Sequence, residues 1–598
     1  MTDHKGSRRS KLALAADMAV GLFLFAATAG IVWWQNTRLV VLYDLSGVLE
    51  PACRIALGEL PYRDFPFPYA PLTFLTQAAI IRFTGAVYWH HIAYVCIVGG
   101  LATVLTWRIL LHLLKEAVPR PSFTAFLLSL PVVILGVYCI FPHPFYDPDA
   151  CVVLLAAILL LLNAEGRGFP VFLTLAAGVL TVVPLFVKQN IGIAFLGGFL
   201  LWLAVAIVVN LRRKMTVRPY LLLLSGVILG LIVALVAVHF SFGLENYKHW
   251  TIDFAAARRT PSIADMLSVY ADRSLILWLA LFFLGAFIFR QNAGLKKWPW
   301  AISLPLMAMP FIWLVIYLFL DGDASERAER LVGLWPLSML ALFGLAYIFV
   351  RRLRGVAAGL PIILIATVHG VFLSQQLWGS TYGIWPLLAV VLALMLRSLY
   401  EPAPFGPGNG VTILAGVIAT SLCVSGTFYV LSNERLDYVD FSDGEIAHST
   451  LPQLAGMSMR GDWLPDFDEL VRYVDKNIPP DDGILNVPGE DLFFYATHRR
   501  PHFPVMLFDV TNNPFSPAEI RDRVVAGDIE WVIVKDDTQI EADTMIDSKA
   551  AIFDLIKPYF RNVESLNNYE IYKRRHADDP PDDEDDNDSD DGSDDPAN

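Results

Sequence analysis

Thirteen apolar runs dominate this chain and limit what it can become. They fall near residues 12–34, 88–114, 122–141, 150–163, 169–187, 190–210, 219–242, 273–290, 299–320, 331–350, 356–377, 381–399 and 410–431. Most approach or exceed the roughly 20 apolar residues that a helix needs to cross a bilayer. A chain of 598 residues that is 55% hydrophobic, with a mean hydropathy of +0.50, is not an ordinary soluble protein. The expected fold is a polytopic α-helical membrane protein of about thirteen spans. The first run follows Lys5, Arg8, Arg9 and Lys11 and contains the small-x-small triplet Ala27-Thr28-Ala29. It is longer than a signal-peptide core and continues past that triplet to Trp34, so it reads as a retained anchor.

Charge sets the expected orientation. With the N-terminus inside, the inner connections include Leu211-Arg212-Arg213-Lys214, Lys296-Lys297 and Arg351-Arg352-Leu353-Arg354. Each is short and basic, as the positive-inside rule asks. An odd number of spans then places everything after Val430 outside the cell membrane. From about 432 to 575 the pattern changes. Asp468–Asn477 has helical spacing, Gly483–Val487 and Ile529–Lys535 read as strands, Ile546–Lys557 as a helix and Tyr569–Lys573 as a closing strand. Strands alternating with helices predict a small external α/β domain. The net charge of −13 is segregated into residues 576–598, an acidic stretch with almost no apolar content and an expected disordered tail. No basic, aromatic-interleaved stretch suits nucleic acid. The five cysteines show no metal-ligand spacing and act as small hydrophobes.

Polar residues gather at the outer ends of the spans. Asp44 stands just after the first run and opens an aromatic, proline-rich segment reaching Gly85 that is too apolar for a simple connector. The second outer loop holds His143, Asp147 and Asp149. Two readings of it are open. The two carboxylates, with His143, could share a hard cation such as Mg²⁺ or Mn²⁺, or an Asp could cap the helix that follows. Lys188 interrupts two apolar runs, where a lysine either snorkels or binds an anion. Arg258 and Arg259 in the fourth outer loop suit phosphate oxygens or form a solvated patch. Arg330 ends the fifth outer loop at a helix entry. His239 and His369 lie inside apolar runs and read as helix-to-helix hydrogen-bonding groups.

Several of these features occur together in one family. They are Asp44, the phrase Gly58-Glu59-Leu60-Pro61-Tyr62-Arg63-Asp64 with Pro71-Leu72, and Asp147-x-Asp149. Further on come Lys188-Gln189-Asn190-Ile191-Gly192 and Arg330 with Trp335-Pro336. The external segment adds Tyr473 to Gly483, Gly489-Glu490 and Tyr495 to Pro501. In that order and topology the chain resembles polytopic GT-C class glycosyltransferases that take sugar from a polyprenyl-phosphate carrier. It is similar to bacterial relatives of protein O-mannosyltransferases, aminoarabinose transferases and galacturonosyltransferases. The resemblance implies inverting sugar transfer to a glycan, lipid or protein acceptor on the outer face of the membrane. It assigns Asp44 as the base, with Asp147 and Asp149 holding a divalent ion or orienting the acceptor. Arg63, Lys188, Arg258, Arg259 and Arg330 become candidates for the lipid phosphate. Many members carry an Asp-Glu pair at the first acid, whereas this chain has Asp44-Leu45. Two other classes compete: a lipid or sugar flippase, and an inactive envelope scaffold. Paired repeats and midplane breaks, the marks of a transporter, are not evident.

Overall fold

A bilayer offers backbone groups no hydrogen-bond partners, so each apolar run must close its own ladder as a helix. In the computed structural model each of the thirteen runs holds a helix among the described residues, although 122–141 is helical only to Leu135 and 169–187 breaks after Leu180. The structure describes residues 3–115, 117–259, 262–291, 298–320, 330–348, 353–374, 379–399, 409–436, 439, 444–509, 512–540 and 548–576. Eight helices among the described residues are long and apolar enough to span: Leu14–Asn36, Tyr88–Leu114, Tyr146–Gly166, Gln189–Arg212, Arg218–Ser241, Ala301–Leu320, Arg330–Ile348 and Gly410–Leu431. The other five runs form shorter apolar helices at Pro121–Leu135, Val171–Phe186, Ser274–Arg290, Val356–Phe372 and Trp385–Leu399.

The first part of the chain builds the site. It runs α1 (Asp3–Asn36), α2 (Leu42–Ala56), α3 (Leu72–Thr84), α4 (Tyr88–Leu114), α5 (Pro121–Leu135), α6 (Tyr146–Gly166), α7 (Val171–Leu180), α8 (Gln189–Arg212) and α9 (Arg218–Ser241). Polar side chains inside the bundle pair between helices, as Thr28 does with Thr103 (2.9 Å) and Thr124 with Thr412 (3.0 Å). His369 bonds Tyr270 at 2.9 Å, whereas His239 is exposed on α9. All five cysteines are free.

The segment between the first two spans is not one interfacial stretch. It is two helices, α2 and α3, joined by a buried aromatic turn. Pro184 ends α7, and a single 3₁₀ turn at Val183–Phe186 delivers Lys188 to the start of α8. Gly192 makes that turn possible. A Cβ there would lie 2.3 Å from the Leu185 Cα, so only glycine lets α8 start so close to the turn.

The C-terminal part contains a hairpin, β1 (Ile446–His448) with β2 (Ser458–Arg460), and a four-stranded sheet. The sheet comprises β3 (Gly483–Val487), β4 (Ile529–Lys535), β5 (Phe560–Ser565) and β6 (Tyr569–Arg574), in the order β3-β4-β6-β5. β3 and β4 are parallel; the other pairs are antiparallel. Helix Trp463–Asn477 covers the sheet with Leu464, Phe467, Leu470, Val471 and Val474, the i, i+3, i+4 stripe of an amphipathic helix. The expected strands at 483–487 and 529–535 are present, and the closing strand is β6. The hairpin and β5 carry little periodicity and were not expected. The acidic stretch 577–598 lies outside the described residues, as do the basic pair at 296–297 and the acid-rich part of the fifth outer loop, 321–329.

Candidate active site

The phrase at Gly58–Asp64 folds as a turn. Gly58 takes φ +100°, Tyr62 is buried with φ +67°, and the Asp64 Oδ2 accepts from the Leu60 N–H at 2.7 Å. Glu59 pairs with the buried Arg54 (2.5 Å) and with Arg500 of the external domain (3.1 Å). Arg63 is exposed and pairs with its neighbour Asp64 at 3.0 Å. The same turn aims Phe65, Phe67 and Tyr69 back under α2.

Asp44 sits half-buried in the first turn of α2, where the free N–H groups of a helix start favour negative charge. The backbone just before it is held from two sides. The Val41 N–H donates to His143 Nε2 at 3.1 Å. That makes Nε2 the acceptor, so Nδ1 carries the proton and bonds the Tyr88 hydroxyl oxygen at 3.1 Å. The Tyr88 hydroxyl in turn donates to Asn36 Oδ1 at 2.9 Å. Burial pushes His143 down to about 3, which keeps it neutral. Both ring nitrogens are therefore used, and His143 positions backbone rather than joining a metal site. From the other side, Gln539 of the external domain accepts from Leu42 N–H (2.7 Å) and donates to Val40 C=O (2.9 Å). A buried cluster of Glu490, Asp491 and Lys535 backs Gln539. Lys535 bonds the two acids at 2.6 and 2.8 Å, and Glu490 accepts the Gln539 N–H.

The rest of α2 is a docking face. Tyr43 bonds Asp509, Ser46 reaches the Gly489 carbonyl (3.3 Å), Glu50 accepts from Tyr495 N–H (3.1 Å) and Arg54 donates to the Pro504 carbonyl (2.9 Å). These positions are spaced three, four and four, one stripe of a helix. The stripe is the signal in the sequence that could have revealed α2, and it went unread.

Asp147 and Asp149 open α6 but face different partners. Asp147 forms a buried ion pair with Lys188. Asp149 accepts from Thr73 (2.8 Å) on Oδ2 and from Tyr94 (2.7 Å) and Tyr138 (2.5 Å) on Oδ1. One carboxylate is turned to an ammonium and the other to three hydroxyls. This donor set does not fit a hard cation shared between them, and no group of three metal-ligating side chains occurs among the described residues. The pair expected to bind Mg²⁺ or Mn²⁺ is instead a hydrogen-bonding anchor for α3, α4 and α8.

Lys188 also lies 4.9 Å from the Tyr146 ring, which packs on Tyr69 at 5.2 Å. The residues after it fix its place. Gln189 donates to the Pro68 carbonyl (2.9 Å) and Asn190 to the Gly370 carbonyl (2.8 Å). Tyr43, next to Asp44, lies within electrostatic reach of Tyr69. The two outer loops thus meet through Val41 and His143 and through Tyr69 and Tyr146. Arg258 bonds the Asn513 carbonyl of the external domain at 2.6 Å. The Arg259 side chain lies outside the described residues. Arg330 is exposed, over the Tyr317 ring at 4.7 Å. A small cavity of about 50 Å³ opens between α2, the aromatic turn and the C-terminal domain; Asp44, Asp147 and Asp149 are not in its lining.

No protein-family profile and no curated protein matches the chain. Among solved structures it is similar to the Archaeoglobus fulgidus oligosaccharyltransferase in the apo form, at 10% identity and TM-score 0.50, over 94% of this chain and 75% of that one. ArnT from Cupriavidus metallidurans bound to undecaprenyl phosphate matches at 12% identity and TM-score 0.45, over 94% of this chain and 99% of that one. At such identities the oligosaccharyltransferase likeness shows the fold: a polytopic helical membrane domain carrying a C-terminal domain.

Proposed function

We propose that this chain is a membrane glycosyltransferase that moves a sugar from a polyprenyl-phosphate carrier to a cell-envelope acceptor on the outer face, with inversion. The observation that carries the reading is the placement of Asp44. It is a half-buried carboxylate on a helix start whose backbone is held both by the second outer loop and by the external domain. The fold shared with an oligosaccharyltransferase supports the same reading.

The reaction follows from charge. Asp44 takes the proton of an acceptor hydroxyl as its oxygen attacks the anomeric carbon. The bond from that carbon to the phosphate oxygen breaks, and the electron pair leaves with the lipid phosphate. The growing negative charge is met by Lys188 and by the first N–H groups of α8, where a helix start favours anions. Asp147 holds Lys188 in place. Arg258 is a second cation beside the C-terminal domain, and Arg259 and Arg330 are further candidates. Arg63, spent on a surface turn, takes no part. No step is routed through a metal.

The test is the purified protein in lipid vesicles with radiolabelled polyprenyl-phosphate sugars. Transfer or release of the sugar is expected, and Asp44→Asn should lower it by about 10²–10⁴, the usual contribution of a general base. Movement of the lipid across the bilayer without cleavage would assign a flippase instead. An Asp44→Asn protein with unchanged turnover would remove Asp44 from the role.

A further inference from the structure

Arg435 carries a charge that no acid among the described residues neutralises. It lies four residues past the last span, in the 3₁₀ turn Asn433–Leu436. Its Nη2 donates to Gln35 Oε1 at 3.5 Å, the long limit of a hydrogen bond, and its buried Nε has no partner. Gln35 is itself buried and donates to the Val430 carbonyl at 3.3 Å, so the cation rests where the ends of α1 and helix Gly410–Leu431 join. Two other titratable groups face it. His143 is within electrostatic reach and neutral, and Tyr429 is the one group that favours the charge. Burial pulls the Arg435 guanidinium down to about 10, which still leaves it charged at neutral pH. A cation stripped of water is costly unless an opposite charge meets it, so this one calls for an anion from outside the chain.

The surroundings narrow the anion. Trp33 at the end of α1 and Phe428 and Leu431 at the end of the last span are exposed. The Phe428 ring meets the exposed Phe319 of helix Ala301–Leu320 at 6.3 Å. Such a face looks onto lipid, and an exposed tryptophan at a span end marks the headgroup level. Arg435 follows Leu431 by four residues and Arg38 follows Trp33 by five, which puts both cations at that level. Arg38 is exposed, lies 4.7 Å from the Trp34 ring and pairs with no acid among the described residues. Its N–H donates to the Gln35 carbonyl at 3.0 Å, so it stands beside the residue that Arg435 touches.

Guanidinium forks suit phosphate oxygens, and a phospholipid brings its phosphate to this depth with acyl chains for the apolar face below. A zwitterionic headgroup carries its own cation and leaves the charge of Arg435 unbalanced, whereas an anionic one balances it. We infer that Arg435, with Arg38 beside it, binds the phosphate of an anionic phospholipid on the side of the membrane that carries the C-terminal domain. Bound there, the lipid ties the first span to the last through Gln35. The site is separate from Lys188, whose charge Asp147 already meets, and it does not depend on the transferase reading.

The test is lipid binding by the delipidated full chain in neutral detergent, read by native mass spectrometry and by thermal unfolding. The probes are short-chain phosphatidylglycerol, short-chain phosphatidylcholine, inorganic phosphate and a short-chain polyprenyl phosphate. Phosphatidylglycerol should bind about tenfold more tightly than phosphatidylcholine and raise the melting temperature. Arg435→Gln should weaken phosphatidylglycerol binding about tenfold, and Arg38→Gln, at an exposed position, about two- to fivefold. Without lipid, Arg435→Gln should melt no lower than wild type, because it removes an unbalanced charge. An arginine with a structural role only would lower that melting temperature and leave lipid binding alone. Equal binding of the two phospholipids, or unchanged phosphatidylglycerol binding in Arg435→Gln, overturns the inference. Displacement of phosphatidylglycerol by inorganic phosphate would make this a soluble-anion site. Tighter binding of the polyprenyl phosphate, lost in Arg435→Gln, would assign it to the carrier. Either result overturns the choice of a phospholipid.

Discussion

Replacing Gln539 by alanine should disable the site from a distance. The side chain closes two hydrogen bonds on the backbone that leads into α2, at 2.7 Å to the Leu42 N–H and 2.9 Å to the Val40 carbonyl. Both bonds are buried, and a buried backbone group left unpaired costs about 1–3 kcal/mol. Two of them sum to roughly 2–6 kcal/mol, less whatever entering water restores. The external domain should not leave, because Tyr43, Ser46, Glu50 and Arg54 still bind it. The cost therefore appears as freedom in the first turn of α2, where Asp44 sits. If about 2 kcal/mol of that holds the carboxylate in its reactive place, turnover falls roughly 30-fold. The donor KM should stay near wild type, since Lys188 is held at the start of α8 and by Asp147 of α6 rather than by Gln539. The assay pairs steady-state sugar transfer with thermal unfolding in detergent. A Gln539→Ala protein with lowered melting temperature but wild-type turnover would mean that the clamp is structural only. Wild-type values for both would mean that the two hydrogen bonds do not constrain α2 at all.

Other expectations follow from the same contacts. Lys188→Met should destabilise the protein by about 3–5 kcal/mol by leaving Asp147 buried and unpaired, whereas Lys188→Met with Asp147→Asn should regain most of it in thermal unfolding. A double variant no more stable than the single would refute that pairing. Glu50 titrates near 4.5 unfolded and near 8 folded, with Arg54, Asp491 and Tyr495 beside it. Its folded value is raised, so its contribution is complete below pH 4.5 and is lost as pH climbs to 8, up to roughly 5 kcal/mol. Glu50→Gln should flatten the melting temperature between pH 5 and 8; an unchanged slope would show that Glu50 ionises normally. Reporters fused at Thr216 and Gly444 should report opposite sides of the membrane, and matching signals would break the alternation of spans.

The spans were legible because a bilayer turns composition directly into structure. An apolar run of the right length has one way to satisfy its backbone. Even the shorter runs, such as Trp385–Leu399, came out as helices with bounds near those expected. Of the proposed site, the sequence shows only the members and not their partners. Asp44, Asp147, Asp149 and Lys188 were all singled out, yet their partners are set by tertiary contact. Local spacing cannot show that Thr73, Tyr94 and Tyr138 converge on Asp149 while Lys188 pairs with Asp147, and that division is what argues against a cation shared by the two. Arg63 looked like a phosphate ligand because its phrase is distinctive. The distinctive residues serve a turn with a positive φ at Gly58 and Tyr62. Gln539 had no signal at all, since it binds residues nearly 500 positions away in the chain.

The long-range contact also ties the C-terminal domain to the proposed base. A helix lying outside the apolar spans has no bilayer to order it, and α2 carries Pro51 in its interior, so its own ladder is weakened. Nothing in residues 42–56 alone would fix Asp44 to within the fraction of an ångström that proton transfer requires. Its position is set from three sides at once: α1, α4 and the second outer loop through Asn36, Tyr88 and His143, the aromatic turn through Phe65 to Tyr69, and the C-terminal domain through Gln539, Asp509 and Tyr495. The hydrogen-bonded contacts among these are made by buried or half-buried polar groups that would be costly to leave open. The docked arrangement is therefore strongly preferred over any partial one. The same docking creates the small cavity against α2, because Gly489, Pro504 to Leu507 and Asn512 close one side of it. A base on a loop of the membrane domain would be mobile, and a base in the external domain would be remote from the lipid phosphate. On the proposed mechanism, a base on a helix clamped between the two has both a fixed geometry and access to a carrier whose phosphate stays at the membrane surface.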